Sequence, residues 1–271
     1  MIFGAITNSW RMQLESEELL ALVGQAEARG AGHIELRQTC LGACESGEGD
    51  DWRPFMEGLE AVVDAYPNLT FDLAMAWPCL TRETDPQGEA WQAAIAGAKL
   101  VGGDAPQLRI VDPSTFAFPW ETPSDIPEEA WGLVGLATEA ARQGVILSME
   151  NSGQPIGSMA MLVEAVRELM PTEYRQFLGL CPDPTNHLRR FPDSTPLRDL
   201  EALPLDMLKI VHFKQMRDGN AIPTVDDGDL DCREMRDILT AKGYTGAAIM
   251  EIPPHADVFD NLEASYEYLS Q

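Results

Sequence analysis

Eight short runs of aliphatic and β-branched residues, about 30 residues apart and each followed by a helical segment, constrain this chain more than any other feature of its sequence. They are IFGAIT, HIELR, LTFDLAM, QLRIVD, VILSME, FLGLCPD, LKIVHF and AAIMEI. Near-continuous apolar runs, as opposed to strict alternation, are the pattern of parallel strands covered on both faces. Between them lie amphipathic stretches such as SEELLALVGQAEARG, EAWQAAIAGAKLVGG, PEEAWGLVGLATEAARQG, MAMLVEAVRELM and CREMRDILTAKG, several opened by Ser, Asp or Pro and closed by Gly. Gly30, Gly102, Gly144 and Gly243 stand where the helices before strands two, four, five and eight should end. Eight such units predict a (β/α)8 TIM barrel in the α/β class, read as one domain over residues 1–271. A doubly wound open sheet is the alternative, but neither GxGxxG nor GxxxxGK follows the first strand, where a dinucleotide or phosphate site would show. The longest irregular pieces, around residues 39–50, 77–86, 113–125 and 215–228, all follow strands, so they gather on the face where barrel enzymes build their active sites.

Placing the ionisable residues on this frame singles out four. Glu150 ends the fifth run, Asp183 ends the sixth, and His212 and Glu251 lie near the ends of the seventh and eighth, at intervals of 33, 29 and 39 residues. One such residue per strand, each at the carboxyl end, brings all four to one rim. Carboxylates among apolar strand residues cost several kcal/mol to bury unless they are paired or bind a cation. Three carboxylates and an imidazole make a hard, mostly oxygen site that suits one divalent ion: Mn²⁺, Mg²⁺ or Co²⁺, with catalytic Zn²⁺ also compatible. The alternative for each residue is a private salt bridge. Lys214 follows His212 by two residues and shares its strand face, from which it can polarise a carbonyl, hold a carboxylate or form a structural ion pair. Glu35 and Arg109 alternate on the second and fourth strands and point either to substrate or into buried pairs with each other or with rim residues. Trp77 and Trp120 are candidates for an apolar wall or for ordinary core, whereas His33, at the opposite end of its strand, and His255, on the surface, are not offered as catalytic.

Together HIELR, SMEN, PDPTNH, VHFKQ, DDGDLD and MEI make the chain resemble the xylose isomerase-like barrels, the sugar isomerase and epimerase superfamily, over nearly its whole length. The resemblance implies that Glu150, Asp183, His212 and Glu251 bind the metal and that Glu150 and Glu251 act as acid and base on opposite faces of a substrate. Lys214 falls at the family's His-x-Lys position. Two positions depart from the family pattern: Ser152 stands where Glu-Asn-His would place a histidine, and D-x-x-H becomes D-x-x-N, with Asn186 in that place and His187 one residue on. Asn186 and His187 are carried forward as substrate-binding candidates.

The implied activity is a metal-dependent isomerase or epimerase acting on a monosaccharide or polyol ketone through an enediolate. If a leaving group sits on the next carbon, the same intermediate makes the enzyme a dehydratase or lyase of a keto-sugar or keto-glycoside. Nucleases of damaged DNA share this type of barrel. They need a basic groove, however, and 44 acidic against 19 basic residues, with a net charge of −25, exclude nucleic acid as a partner. No apolar run approaches a membrane span and the amino terminus lacks a signal-peptide pattern, so a cytoplasmic protein is expected. The five cysteines are read as reduced thiols, Cys40 and Cys44 forming only a weak C-x3-C. The family's habit of forming dimers and tetramers leaves a homo-oligomer open.

Overall fold

The structure, a computed structural model, describes residues 1–271. All eight expected strands form: β1 Ile2–Ile6, β2 His33–Arg37, β3 Thr70–Ala76, β4 Gln107–Val111, β5 Ile146–Glu150, β6 Leu178–Cys181, β7 Ile210–Phe213 and β8 Ala247–Met250. They pair in parallel in the order β6-β5-β4-β3-β2-β1-β8-β7. The remaining seam between β6 and β7 is stitched by the Leu180–Leu208 bridge and by two backbone bonds, Lys209 N–H to Leu180 O (2.9 Å) and His212 N–H to Pro182 O (3.1 Å). The barrel therefore closes.

Helices α1 Leu19–Ala28, α2 Met56–Ala65, α3 Glu89–Val101, α4 Leu133–Arg142, α5 Ile156–Leu169, α6 Pro184–Arg190, α7 Pro196–Ala202, α8 Cys232–Ala241 and α9 Val258–Ser270 surround it. One hydrophobic cluster running from Ala5 to Leu269 fills the layer between strands and helices. Of the four glycines expected to end helices, Gly30, Gly144 and Gly243 do so with positive φ of 101°, 80° and 77°. Gly102 ends α3 as its C-cap but without positive φ: the left-handed residue there is Gly103 (φ 54°), and at Gly102 an added Cβ would lie 2.5 Å from Pro106 Cα.

The inside of the barrel is divided. Toward β6, β7, β8 and β1 it is apolar, with Cys181, Ile210, Ala247, Ile249 and Ile6 in one small cluster. Toward β2–β5 it is polar, because period-two alternation turns Glu35, Asp72, Arg109 and Ser148 inward, all with 0–1% exposure. Barrel interiors are ordinarily layers of branched aliphatic side chains. Charges buried here must find partners within the barrel.

At the amino-terminal end His33 Nε2 lies 2.8 Å from Asp72 Oδ1, and His33 Nδ1 lies 2.8 Å from Thr70 Oγ1. His33 thus sits at the end of the barrel remote from the rim, in a structural pair. Burial, aided by neighbouring Glu35 and opposed by His33, raises the Asp72 carboxyl to about 6. A carboxyl raised on folding holds its proton more tightly in the native state, so its stabilising contribution is present at low pH and is lost as pH rises through about 6. Asp72→Asn keeps an acceptor for His33 and should make stability fall less steeply than in the parent between about pH 4 and the native pKa. Urea midpoints across that range check this, and identical slopes in parent and variant would refute it.

Candidate metal centre and active site

The ends of the last four strands deliver the expected cluster. Glu150 is the last residue of β5, His212 the third of β7, Glu251 the first after β8, and Asp183 the second after β6. One ligand atom from each lies within 4.8 Å of every other. Glu150, Asp183 and His212 are buried, and Glu251 keeps a partly exposed edge toward the rim.

Each ligand is aimed by a polar partner on the atom it turns away from the cluster, which for Glu150 is Oε2, facing Arg109. Asp183 caps α6: its Oδ1 accepts the Asn186 N–H at 2.7 Å, which leaves Oδ2 turned to the cluster. The Asp183 backbone is clamped to β5, since Asn151 Oδ1 accepts its N–H (2.7 Å) and Asn151 Nδ2 donates to its carbonyl (2.9 Å). Asn186 Nδ2 donates to Glu150 Oε1 at 2.9 Å, and Asn8, just past β1, donates to Glu251 Oε1 at 2.8 Å. His212 turns Nδ1 toward Glu251 Oε2 (2.9 Å) and Glu150 Oε1 (3.6 Å), while its Nε2 faces Glu35 Oε2 at 3.3 Å. Glu35 is in turn held by Arg109, whose Nε donates to Glu35 Oε1 at 3.1 Å and whose Nη1 sits 3.0 Å from Glu150 Oε2. A carboxylate behind the far nitrogen of a histidine is how proteins orient a ligating imidazole.

Lys214 reaches into the same space, with Nζ 2.6 Å from Glu251 Oε2, 2.8 Å from Asp183 Oδ2 and 3.5 Å from Glu150 Oε1. Burial pushes the Glu150 carboxyl up, but Arg109, Lys214 and His212 outweigh it and hold it below its ordinary range. Glu251 goes well below against the same burial, through Lys214 and His212. For Asp183 burial prevails over Lys214, with Glu150 opposing ionisation too, and its carboxyl is raised. That residue supplies the test of fit for a cation. Its Oδ2 is fully buried and accepts no well-aligned hydrogen bond even though the lysine is near. An oxygen so placed, beside two more carboxylates and an imidazole nitrogen within 4.8 Å, fits a hard divalent ion.

Of the other sequence candidates, Asn186 joins the cluster and lines a cavity of about 340 Å³ above it, together with Asn8, Thr185, Lys214, Gln215 and Glu251. His187 is not brought to the site. A helix turns about 100° per residue, so the neighbour of Asn186 faces elsewhere. His187 Nδ1 accepts the Ile156 N–H (3.4 Å) and its ring meets Phe191 edge-on. Glu35 and Arg109 take the paired alternative below the rim, with 0% and 1% exposure. Trp77 and Trp120 are core, the first against Trp91 and the second against Phe116. His255 is exposed, and all five cysteines are free thiols. Sequence reasoning missed Asn8 and assigned no role to Asn151. Their positions at strand ends were the available signal, but nothing in a strand end tells which ligand it will hold.

A family model described as "Xylose isomerase-like TIM barrel" matches residues 85–270. Among solved structures, the probable 3-DHS dehydratase AsbF of petrobactin synthesis from Bacillus anthracis superposes with a TM-score of 0.75 at 14% identity, covering 100% of this chain and 99% of that one. D-allulose 3-epimerase from Methylomonas sp., in complex with D-allulose, gives 0.70 at 15% identity, covering 100% and 96%. The IOLI protein with a bound zinc atom gives 0.68 at 14% identity, covering 100% and 95%. At these identities the likeness establishes the shared fold. No curated protein matches the chain by sequence. No helix is long and apolar enough to cross a membrane.

Proposed function

The chain belongs to the xylose isomerase-like TIM barrel family, and from that premise we propose that it is a divalent-metal-dependent isomerase or epimerase of a carbohydrate ketone, working through an enediolate. The observation that carries this reading is the convergence of Glu150, Asp183, His212 and Glu251 within 4.8 Å, beside a polar cavity that Glu251 lines. The four would hold Mn²⁺, Mg²⁺, Co²⁺ or Zn²⁺, and the bound ion would polarise adjacent substrate oxygens and acidify the C–H between them.

The rest falls to the chain's own groups. Glu150 and Glu251 come from β5 and β8, three strands apart around the rim, and both carboxyls are held ionised by neighbouring cations. One removes the carbon-bound proton and the other returns it, to the opposite face for epimerisation or to the adjacent carbon for isomerisation. Lys214, 2.6 Å from Glu251, stabilises the developing oxyanion and steadies that carboxylate. Asn8 and Asn186 keep the two glutamates in register.

A second reading, elimination of water or an aglycone from the carbon beyond the enediolate, is favoured by the Lys214–Glu251 pair, which can carry a proton to a leaving oxygen. The superposition on a dehydratase is compatible with it.

A screen of neutral and acidic keto-polyols in heavy water, with Mn²⁺ added, tests both readings by NMR. Solvent deuterium on the carbon next to the carbonyl is expected, in recovered substrate and epimer for the first reading and with release of the leaving group for the second. Transfer of a carbon-bound label to the adjacent carbon with no solvent deuterium would refute proton transfer and point to a hydride shift.

A further inference from the structure

The wall of the cavity above the cluster contains two cations, and only one of them is engaged. Lys214 contacts three carboxylates. Arg189, on α6, lines the same cavity and forms neither a hydrogen bond nor an ion pair, although acidic residues outnumber basic ones by 44 to 19 in this chain.

Its direction follows from helix geometry. Residues three and four apart share a face, so Thr185, Asn186 and Arg189 point together, and all three line the cavity. The next residue, Arg190, faces elsewhere and is tied down, donating from Nε to Phe116 O at 3.1 Å. The bonds on this face are already assigned: Asn186 donates to Glu150, and Thr185 Oγ1 donates to Lys214 O at 2.7 Å. Arg189 is the group left with donors to spare, exposed on the wall of the cavity that Glu251 also lines.

A cavity of about 340 Å³ with three hydrophobic residues among its 14 suits a small, heavily hydroxylated molecule. A guanidinium on its wall offers two parallel N–H donors, the arrangement that pairs with one planar carboxylate. A phosphate group would call for several cations or a run of backbone N–H groups, and away from the carboxylate cluster this wall offers the one guanidinium.

We propose that Arg189 is a specificity-determining residue that pairs with a carboxylate of the substrate, so that the substrate class is a polyhydroxylated keto acid. This rests on the reading of the cluster as the reacting end of the site. The ketone and its neighbouring hydroxyls then lie over Glu150 and Glu251, and the acid end lies under α6.

Titration calorimetry of Mn²⁺-loaded protein with gluconate and with sorbitol tests the contact, because the two probes differ in a carboxylate and neither turns over. Gluconate should bind about tenfold more tightly or better. In Arg189→Gln that preference should shrink to roughly threefold or less with sorbitol affinity unchanged, and Arg189→Lys should keep part of it. Arg189 makes no bond in the fold, so the variants should retain the parent's melting temperature. Equal affinities for the two probes, no gluconate binding, or an undiminished preference in Arg189→Gln would each overturn the proposal. So would tighter, Arg189-dependent binding of sorbitol 6-phosphate than of gluconate. Deuterium exchange reads the chemistry and this titration reads only the acid contact, so one can fail while the other stands.

Discussion

Glu150→Gln is expected to lower kcat by about 10²–10⁴-fold while the barrel stays folded. The amide matches the carboxylate in shape and can still accept a hydrogen bond from Asn186, which donates to Glu150 Oε1 at 2.9 Å. What it loses is the ability to take up a proton and most of its affinity for a divalent ion. Arg109 does not become an isolated charge, because it also pairs with Glu35. Turnover on whichever keto-polyol exchanges deuterium, measured at saturating Mn²⁺, gives the catalytic loss, and circular dichroism gives the fold. A variant that binds metal and turns over at the parent rate would remove Glu150 from the proton-transfer role.

Arg109→Leu should be the costliest substitution for stability, at about 3–5 kcal/mol in metal-free protein. Arg109 is 1% exposed and stands between Glu35 and Glu150, which are 0% and 4% exposed. Truncating it leaves two buried carboxylates without the guanidinium between them. Burial pushes Glu35 up, yet Arg109 and His212 bring it down to about 2. A carboxyl lowered on folding contributes stability that is present above its unfolded pKa, near about 4.3, and is lost as pH falls through the native value. Without Arg109 only His212 opposes the effect of burial, so most of that contribution is lost, and the deficit should be largest at neutral pH and shrink in acid, where protonation removes the unpaired charge. Adding Glu35→Gln to Arg109→Leu should recover part of the loss. Urea unfolding at several pH values checks both statements. A deficit under about 1 kcal/mol at neutral pH, of the order of an ordinary surface change, would mean that the triad does not depend on Arg109.

How much of this was legible in the chain can be argued residue by residue. The strands were legible because a parallel strand covered on both faces must be apolar nearly throughout, and the eight runs carry that mark. Glu150, Asp183, His212 and Glu251 were legible for a related reason: a charged residue at the end of an apolar run stands out, and barrel topology puts all such ends on one face. Helix α6 shows where this reading stops. PDPTNH marked the end of the sixth strand and offered both Asn186 and His187 as candidates, yet which of them would face the cavity depends on the rotation of the helix about its axis. That rotation is set by packing, which sends His187 toward α5 and Phe191 and leaves Asn186 beside Glu150.

The sequence by itself determined that the chain would be a barrel and which four residues would meet at its rim. Both follow from local periodicity and from the order of elements, and neither needs a knowledge of contacts between strands. Only the tertiary structure decided that Glu35 and Arg109 would lie under the rim as a buried triad with Glu150, that His212 would present Nδ1 to the cluster and Nε2 to Glu35, and that Asn8 would hold Glu251 from 243 residues away. These are pairings between strands whose relative register and tilt come from barrel closure, and a charge in a strand carries no local sign of which distant charge will neutralise it. Burial then makes the choice binding, because inside the barrel an unpaired carboxylate or guanidinium costs several kcal/mol and pairing offsets much of that cost.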